Sequence, residues 1–160
     1  MSEIKKLWCT SQEDFEELMS SGLPERSCAI SIIGTPEVLK YHLEEENTKH
    51  FLPDEPRVLN LEFDDITEDK AERDGIHAYG ITLEQAGKIV RFLEKAVQEG
   101  LNIYIHCRAG RSRSQAIVRY VKSRFPGPWE TNPRNPDDTP NYYVLGKLRE
   151  YEKEQSLHTT

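Results

Sequence analysis

The sequence predicts an α/β fold, with a single central and mostly parallel sheet flanked by helices, in one domain over residues 1–160. Three observations predict it. Hydrophobic and polar residues alternate over 58–63 and 101–106, as they do in strands that bury one face. Apolar residues with helical period follow capping signatures at Ser11 and Thr82. A short glycine-containing loop joins strand 101–106 directly to an apolar helical stretch, which is typical of parallel sheets.

The first half of the chain is expected to hold two helices and two strands. A capping signature at Ser11 opens the first helix, whose apolar face carries Phe15, Leu18 and Met19. Thr35-Pro36 opens the second helix, because proline is favoured at the first helical position, and this helix should end near residue 46. The two strands and the acidic loop after them cover 27–33, 57–63 and 67–80.

The second half begins with a helix that Thr82 opens and Gly100 ends, followed by strand 101–106. The apolar residues of this helix that keep its period are Ala86, Ile89, Phe92, Leu93, Ala96 and Val97. Five prolines punctuate 126–140, so an irregular proline-rich loop is expected there. Thr139-Pro140 should cap a last helix over 141–154, with Val144, Leu148 and Tyr151 as its apolar residues.

The loop after strand 101–106 carries the chemistry, and with its flanks it reads His106-Cys107-Arg108-Ala109-Gly110-Arg111-Ser112-Arg113-Ser114. Cys107 is the candidate nucleophile, and the thiolate is the form of cysteine that attacks. Gly110 lets the loop curl so that backbone N–H groups point inward, and the N-terminus of the next helix aims at the same point. These groups favour a thiolate and bind a phosphate group beside it. A purely structural role for Cys107 would leave its neighbours unexplained.

The other side chains of the loop complete this device. Arg113 offers a planar guanidinium that binds two phosphate oxygens at once. The hydroxyl of Ser114 has two compatible roles, donating to the Cys107 sulfur or capping the helix. His106 is expected to orient the loop by hydrogen bonds, with general-base catalysis as the alternative. The candidate phosphate-binding residues are Arg108, Ala109, Gly110, Arg111, Ser112 and Arg113.

A proton donor for the leaving oxygen of a phosphate ester must come from outside the loop. Strand 57–63 runs into Asp64 and Asp65, and if it is parallel to 101–106, both strands end at the same edge of the sheet. Adjacent carboxylates in extended chain point in opposite directions, so one of the two faces the site. The alternative is that 62–74, which holds seven acidic residues, is merely solvated surface.

The motif Ile105–Ser114, with the strand that ends at Phe63-Asp64-Asp65, resembles the cysteine-dependent protein tyrosine phosphatase superfamily, and within it the compact dual-specificity branch. The resemblance follows the order of elements from about residue 27 to 125. The motif is highly specific, whereas the acidic loop is weakly so.

This resemblance implies a division of labour in the site. Cys107 attacks phosphorus and becomes a phosphocysteine, Arg113 and the loop amides bind the equatorial oxygens, and Ser114 aids breakdown of the intermediate. It favours Asp65 over Asp64 as the general acid. The gap from Asp65 to Cys107 is longer than in the smallest members, and the extra length is expected in the acidic loop. No metal or other cofactor is implied, since no His/Cys/carboxylate cluster has ligand spacing.

The composition restricts the kinds of partner and the cell compartment that we expect for this chain. The formal net charge of −7 argues against nucleic acid as the main partner. Residues 108–124 nevertheless carry six basic residues and no acidic one, which would concentrate a phosphorylated substrate. Cys9, Cys28 and Cys107 are too few for a disulfide framework, and Cys28 is expected in the core, with a redox partnership with Cys107 as the alternative. No apolar run predicts a signal peptide or membrane span, so a cytoplasmic location is expected. The expected oligomeric state is a monomer.

The leading hypothesis is a phosphatase acting on phosphotyrosine proteins, and also on phosphoserine and phosphothreonine, through a phosphocysteine. A phosphoinositide or inositol-phosphate phosphatase with the same mechanism is the alternative, because Arg108 and Arg111 add cations to the loop. A non-catalytic phosphotyrosine-binding module is the alternative from another class, but such a module has no use for the thiol.

Overall fold

A computed structural model describes residues 3–41, 49–132 and 139–158. In chain order its elements are β1 (Lys5–Thr10), α1 (Gln12–Leu18), β2 (Ser27–Ile33), α2 (Pro36–Tyr41), β3 (Val58–Glu62), β4 (Lys70–Arg73), β5 (Ile76–Tyr79), α3 (Leu83–Gln98), β6 (Asn102–His106), α4 (Arg113–Arg124), β7 (Trp129–Thr131) and α5 (Tyr142–His158). The part of the second helix predicted beyond residue 41 lies outside the described residues, as does 133–138 of the proline-rich loop.

The centre of the molecule is a five-stranded sheet in the order β3-β2-β6-β1-β7, in which every neighbouring pair is parallel. Helices cover it, so the predicted α/β fold with a central, mostly parallel sheet flanked by helices is confirmed. Strand β6 is the middle strand, between β2 and β1. Its carboxyl end therefore opens at the centre of one sheet edge, where parallel sheets place ligand sites.

Two hydrophobic clusters lie on opposite faces of this sheet. The larger one takes Ile103 and Ile105 of β6 and packs them against α3, α4 and α5. The smaller one takes Tyr104, the residue between them, and packs it against Phe15 of α1 and against Met19, which ends that helix. Successive side chains of a strand point to opposite faces, so β6 is buried on both sides. Burial on both sides fixes the strand that leads into the loop.

The N-terminal strand and the last strand were not predicted from the sequence. β7 falls inside 126–140, so the prediction of a loop without regular structure was wrong for Trp129–Thr131. These three residues pair in parallel with Lys5–Leu7 of β1, and this contact with a distant segment, rather than a local pattern, makes them a strand. Propensity is weak in strands this short, and the prolines around them masked the pairing.

The expected acidic loop 67–80 is a β-hairpin rather than a loop. β4 and β5 pair antiparallel, with Lys70 opposite Tyr79 and Arg73 opposite Ile76. The turn is Asp74-Gly75, and both residues have positive φ, at 52° and 79°. This dipeptide is favoured in two-residue hairpin turns because such turns need two left-handed residues. The density of acidic residues had hidden that signal.

Helices α1 and α3 begin at their predicted N-caps, whereas α5 does not. Thr82 and Gln85 form the predicted capping box at the start of α3, with reciprocal hydrogen bonds. Ser11 caps α1 by accepting from the Asp14 N–H, but Leu18 is half exposed and does not share the buried face of Phe15. α5 runs to residue 158, past the predicted end at 154, and its cap differs from the predicted Thr139-Pro140, as described below.

Candidate active site

The loop 107–112 lies between the end of β6 and the start of α4, at the central edge of the sheet. Gly110 has a φ of 71°, and a Cβ at this position would come within 2.7 Å of the Thr10 carbonyl carbon. Left-handed backbone and close approach both require glycine here. The side chain of Gln115 donates to the Gly110 carbonyl at 3.0 Å. The loop is thus packed against the end of β1 on one side and held by α4 on the other.

Cys107 and Ser114 meet beneath the loop. The Cys107 side chain is buried, and its Sγ lies 3.0 Å from the Ser114 Oγ. Ser114 is the second residue of α4, whose N-cap is Ser112, so the alternative that Ser114 caps the helix was wrong. The Ser112 hydroxyl does not cap the helix either, since it donates to Asp65 Oδ1 at 2.8 Å. The Ser114 hydroxyl is therefore placed to contact the sulfur.

The Arg113 guanidinium is buried beneath the loop, with 7% of the residue exposed. Its Nη1 donates to the Phe63 carbonyl at 2.8 Å, which joins α4 to the end of β3. Its Nε is buried without a hydrogen-bond partner among the described residues. A buried cationic donor with unused hydrogen-bonding capacity suits a bound anion.

His106 is buried and held at both ring nitrogens. Its Nδ1 lies 3.2 Å from the Cys107 carbonyl, which can only accept, so Nδ1 carries the proton. Its Nε2 then accepts from the Ser31 hydroxyl at 2.7 Å, and Ser31 in turn accepts from His50 Nδ1 at 2.7 Å. Burial lowers the pKa of His106 to about 4, against the raising effect of the Cys107 backbone contact. His106 is therefore a neutral ring that holds the loop, with neither nitrogen directed at the thiol.

The two aspartates after β3 point to different places. The Asp65 carboxylate is exposed on the loop side, where Oδ1 accepts from the Ser112 hydroxyl at 2.8 Å and from Asn141 Nδ2 at 2.7 Å. Asp64 is buried and accepts from the N–H and hydroxyl of Thr35 and from the N–H of Tyr79. Asp64 thus ties the start of α2 to the hairpin, while Asp65 lies beside the phosphate-loop candidates.

Asn141 is a functional candidate that the sequence reasoning missed. Its Oδ1 accepts from the N–H groups of Tyr143 and Val144, so Asn141, rather than the predicted Thr139-Pro140, caps α5. Its Nδ2 reaches Asp65 Oδ1 at 2.7 Å and the Ile66 carbonyl at 3.1 Å. Its N–H donates to the Ser112 carbonyl at 3.0 Å. A polar residue just before an apolar helical run was the available signal, but its reach to Asp65 spans 76 positions.

A cavity of about 440 Å³ opens beside the loop. The charged side chains at its walls include Asp65, Arg73, Arg108 and Arg113. Its apolar walls come from Ile33, Val38, Leu39, Ile66 and Ala78. Arg111 and Ala109 of the loop are exposed to solvent. The cavity therefore combines cations near the loop with an apolar surface that extends toward α2 and the hairpin.

Cys28 lies apart from this cavity. It is buried on β2, where it pairs with Ile103 of β6. Ile103 precedes Cys107 by four positions. Burial raises the pKa of the Cys28 thiol to about 12, so this thiol stays protonated at neutral pH. Cys28 is a core residue, as expected from its apolar run.

Within 3–41, 49–132 and 139–158, no group of three or more His, Cys, Asp or Glu side chains is arranged to hold a metal ion. In the same residues, no helix has both the length and the apolar character to cross a membrane.

No protein-family model matches the chain, and no curated protein sequence does. Solved structures do match. The crystal structure of human tyrosine phosphatase-like serine/threonine/tyrosine-interacting protein is 19% identical over 92% of this chain and 87% of its own, with a TM-score of 0.49. The structure of PTPMT1 is 17% identical over 94% and 91%, with a TM-score of 0.48. That of Tk-PTP in the active form is 19% identical over 92% and 93%, with a TM-score of 0.44.

Proposed function

We propose that this protein is a cysteine-dependent phosphatase of the protein tyrosine phosphatase superfamily, which hydrolyses phosphomonoesters through a phosphocysteine. The observation that carries the proposal is the contact of the Cys107 sulfur with the Ser114 hydroxyl, at a loop that also contacts Asp65 and leads into Arg113. The Cys107 sulfur lies 3.0 Å from the Ser114 hydroxyl. The buried Arg113 guanidinium follows the same loop, and the Asp65 carboxylate is bonded to Ser112 of that loop.

In the first step the Cys107 thiolate attacks phosphorus, and the bond from phosphorus to the leaving oxygen breaks. Negative charge builds on the equatorial oxygens, and donors already aimed at them stabilise the transition state. Arg113 and the backbone N–H groups of residues 108–113 supply those donors, with the N-terminus of α4 behind them. Asp65 gives its proton to the leaving oxygen, so that a neutral alcohol departs.

In the second step water attacks the phosphocysteine, and Asp65 takes the proton that the water loses. The sulfur leaves with the electron pair of the phosphorus–sulfur bond, and inorganic phosphate is released. The Ser114 hydroxyl, 3.0 Å from that sulfur, donates to the thiolate as it forms.

Proteins that carry phosphotyrosine are the proposed substrates, with phosphoserine and phosphothreonine as further substrates. The support is the cavity beside the loop. Its walls at Ile33, Leu39 and Ile66 are apolar, and an aromatic ring that enters it is removed from water while its phosphate reaches Arg113. Shorter phosphoresidues would reach the loop with less apolar contact.

A phosphoinositide or inositol-phosphate substrate is the second candidate. Arg73 of the hairpin and Arg108 of the loop line the same cavity as Arg113, and a second phosphate group would use such additional cations. A phosphotyrosine peptide and a soluble phosphoinositide headgroup should therefore be compared in the wild type and in Arg73→Ala, Arg108→Ala and Arg111→Ala variants. Loss of headgroup turnover alone in these variants supports the second candidate, and equal effects on both substrates support the first.

Replacing the nucleophile tests the proposal itself. Cys107→Ser should abolish turnover of an aryl phosphate, because a serine hydroxyl is not ionised at neutral pH as a thiolate is. Cys28→Ser on the neighbouring strand is the matched control and should keep turnover. Release of phosphate by the Cys107→Ser protein at the wild-type rate would exclude the mechanism. Binding without turnover in the wild type would favour a non-catalytic phosphotyrosine-binding module.

A further inference from the structure

Two buried thiols contact the same serine hydroxyl. The Cys107 sulfur lies 3.0 Å from the Ser114 Oγ, and the Cys9 sulfur lies 3.0 Å from that same oxygen. Cys9 stands on β1 opposite Ile105 of β6, so it reaches Ser114 from the strand next to the one that leads into the loop. The mechanism above gives Cys9 no role.

The hydrogen-bonding capacities of these groups allow an arrangement in which Cys9 donates to Ser114 and Ser114 donates to Cys107. A serine hydroxyl has one proton to donate and can accept two hydrogen bonds. If Ser114 gives its proton to the Cys107 thiolate, its oxygen faces Cys9 as an acceptor. Cys9 Sγ lies 3.6 Å from the Gly110 carbonyl, which also can only accept. Cys9 has one S–H proton, and in this arrangement it goes to the Ser114 oxygen at 3.0 Å rather than to the more distant Gly110 carbonyl.

The position of Cys9 is held independently of the loop. Its backbone N–H donates to the Asn132 side chain at 2.8 Å, and its carbonyl accepts from the same side chain at 2.8 Å. On the other edge of β1, parallel pairing with β6 fixes the register at Ile105. These contacts fix the backbone of Cys9 without using the loop 107–112.

We propose that Cys9 is a positioning residue: its thiol donates to the Ser114 oxygen and so directs the Ser114 proton to the sulfur of Cys107. This inference rests on the proposed function. A donor at the oxygen also polarises the O–H bond, because hydrogen bonds in a chain strengthen one another. The effect falls on the second step, in which the Cys107 sulfur leaves phosphorus with the bonding electron pair, water adds to phosphorus, and Asp65 takes the proton of the water.

The test is burst kinetics with an aryl phosphate, in which the initial burst reports formation of the phosphocysteine and the later steady rate reports its breakdown. Cys9→Ala should slow breakdown by about 3- to 10-fold, the range that corresponds to one hydrogen bond. Cys9→Ser, whose hydroxyl donates in the same direction, should restore most of the rate. Cys28→Ala removes a thiol of similar burial from β2 and should leave both phases unchanged.

A double-mutant cycle separates positioning from packing. If Cys9 acts through Ser114, then Cys9→Ala should cost nothing further in a Ser114→Ala background. A loss of the same size in both backgrounds would show a packing effect and overturn the proposal. The proposal would also be overturned if Cys9→Ala broke down the phosphocysteine at the same rate as Cys28→Ala. Faster breakdown in Cys9→Ala would overturn it too, since Cys9 would then be competing for the serine proton.

The outcomes also separate this inference from the proposed function. A wild-type protein that shows no burst and yields no phosphocysteine after an acid quench would refute the proposed function. A normal burst in the wild type, with no effect of Cys9→Ala on breakdown, would refute the role of Cys9 alone. Thermal unfolding of Cys9→Ser shows whether that variant is folded, and a folded, slow Cys9→Ser would also contradict the proposal.

Discussion

At the scale of single residues, the site depends on side chains with separate tasks. Asp64 and Asp65 are adjacent and chemically identical, yet the first is buried among three donors and the second is exposed beside Ser112. Because their environments differ, we expect Asp65 to act in catalysis and Asp64 to stabilise the fold. A substitution at one should therefore change catalysis and a substitution at the other should change stability.

Asp65→Asn should slow turnover of a substrate with a poor leaving group by about 10²- to 10⁴-fold, the usual worth of a general acid. An activated aryl phosphate should lose less, because its leaving oxygen needs no proton. Steady-state rates with both substrates measure this difference. Equal losses on the two substrates would contradict the role of Asp65 in protonation.

Asp64→Asn is the matched control one residue away. The amide cannot accept all the hydrogen bonds that Thr35 and Tyr79 donate to the carboxylate, so we expect the free energy of unfolding to fall by about 1–3 kcal/mol. Turnover by the folded protein should stay within the range of the wild type. Denaturant titration and rate measurements on the same sample check both statements.

The loop residues were predictable at this scale because their chemistry is local. The key residues lie within eight positions, namely Cys107, Gly110, Arg113 and Ser114. Their spacing in the sequence is therefore enough to predict that they share one loop. Asn141 and Cys9 reach the site from far along the chain, and only the folded sheet and α5 bring them there. No local pattern in the sequence indicates such contacts.

At the scale of elements, the start of α5 links Asp65, the proposed general acid, to the loop 107–112. Asn141 caps this helix through its Oδ1 and holds Asp65 through its Nδ2. One side chain therefore joins helix stability to the position of a carboxylate. Substitutions that keep one function and remove the other can separate them.

Asn141→Ala should lower the free energy of unfolding by about 0.5–2 kcal/mol, because the helix loses its cap. Asn141→Asp keeps an acceptor for the cap but places a second carboxylate beside Asp65. Like charges favour the protonated form, so the alkaline limb of the pH–rate profile should move to higher pH in Asn141→Asp. An unmoved limb in a stable Asn141→Asp protein would show that the two side chains do not interact.

The elements that sequence patterns specify were found where expected. β2, β3, β6 and α3 have strong apolar patterns, and α3 has its capping box. The edge strand β7 and the β4–β5 hairpin were missed for different reasons. β7 becomes a strand by pairing with β1, whereas the hairpin had a local signal at Asp74-Gly75 that the surrounding acidic residues obscured.

At the scale of the whole molecule, the chain is acidic, with a formal net charge of −7, whereas three arginines and two aspartates line its cavity beside the loop and leave it with an excess of positive charge. A positive site on a negative body attracts a small dianion while repelling extended polyanions. The fold produces this difference because the loop, which carries Arg108 and leads into Arg113, follows the carboxyl end of the middle strand β6. Binding of phosphate should accordingly weaken as salt concentration rises.

Folding stability should depend on His106, whose pKa burial lowers from 6.5 to about 4. The unfolded chain binds the proton more readily, so the stability is fully present above pH 6.5 and is lost as pH falls toward 4. The loss for this group is at most about 3 kcal/mol. Denaturant titrations across this range should show the fall, and His106→Asn should flatten it. An equally steep fall in His106→Asn would assign it to other groups.

The most direct test of the whole account is to capture the covalent intermediate. Wild-type and Ser114→Ala proteins are mixed with a labelled phosphotyrosine peptide, quenched in acid and digested, and the labelled peptide is identified by mass. We predict label on the peptide that contains Cys107, with more of it in Ser114→Ala because breakdown is slower. Turnover of the substrate with no label on Cys107 in either protein would contradict the central claim.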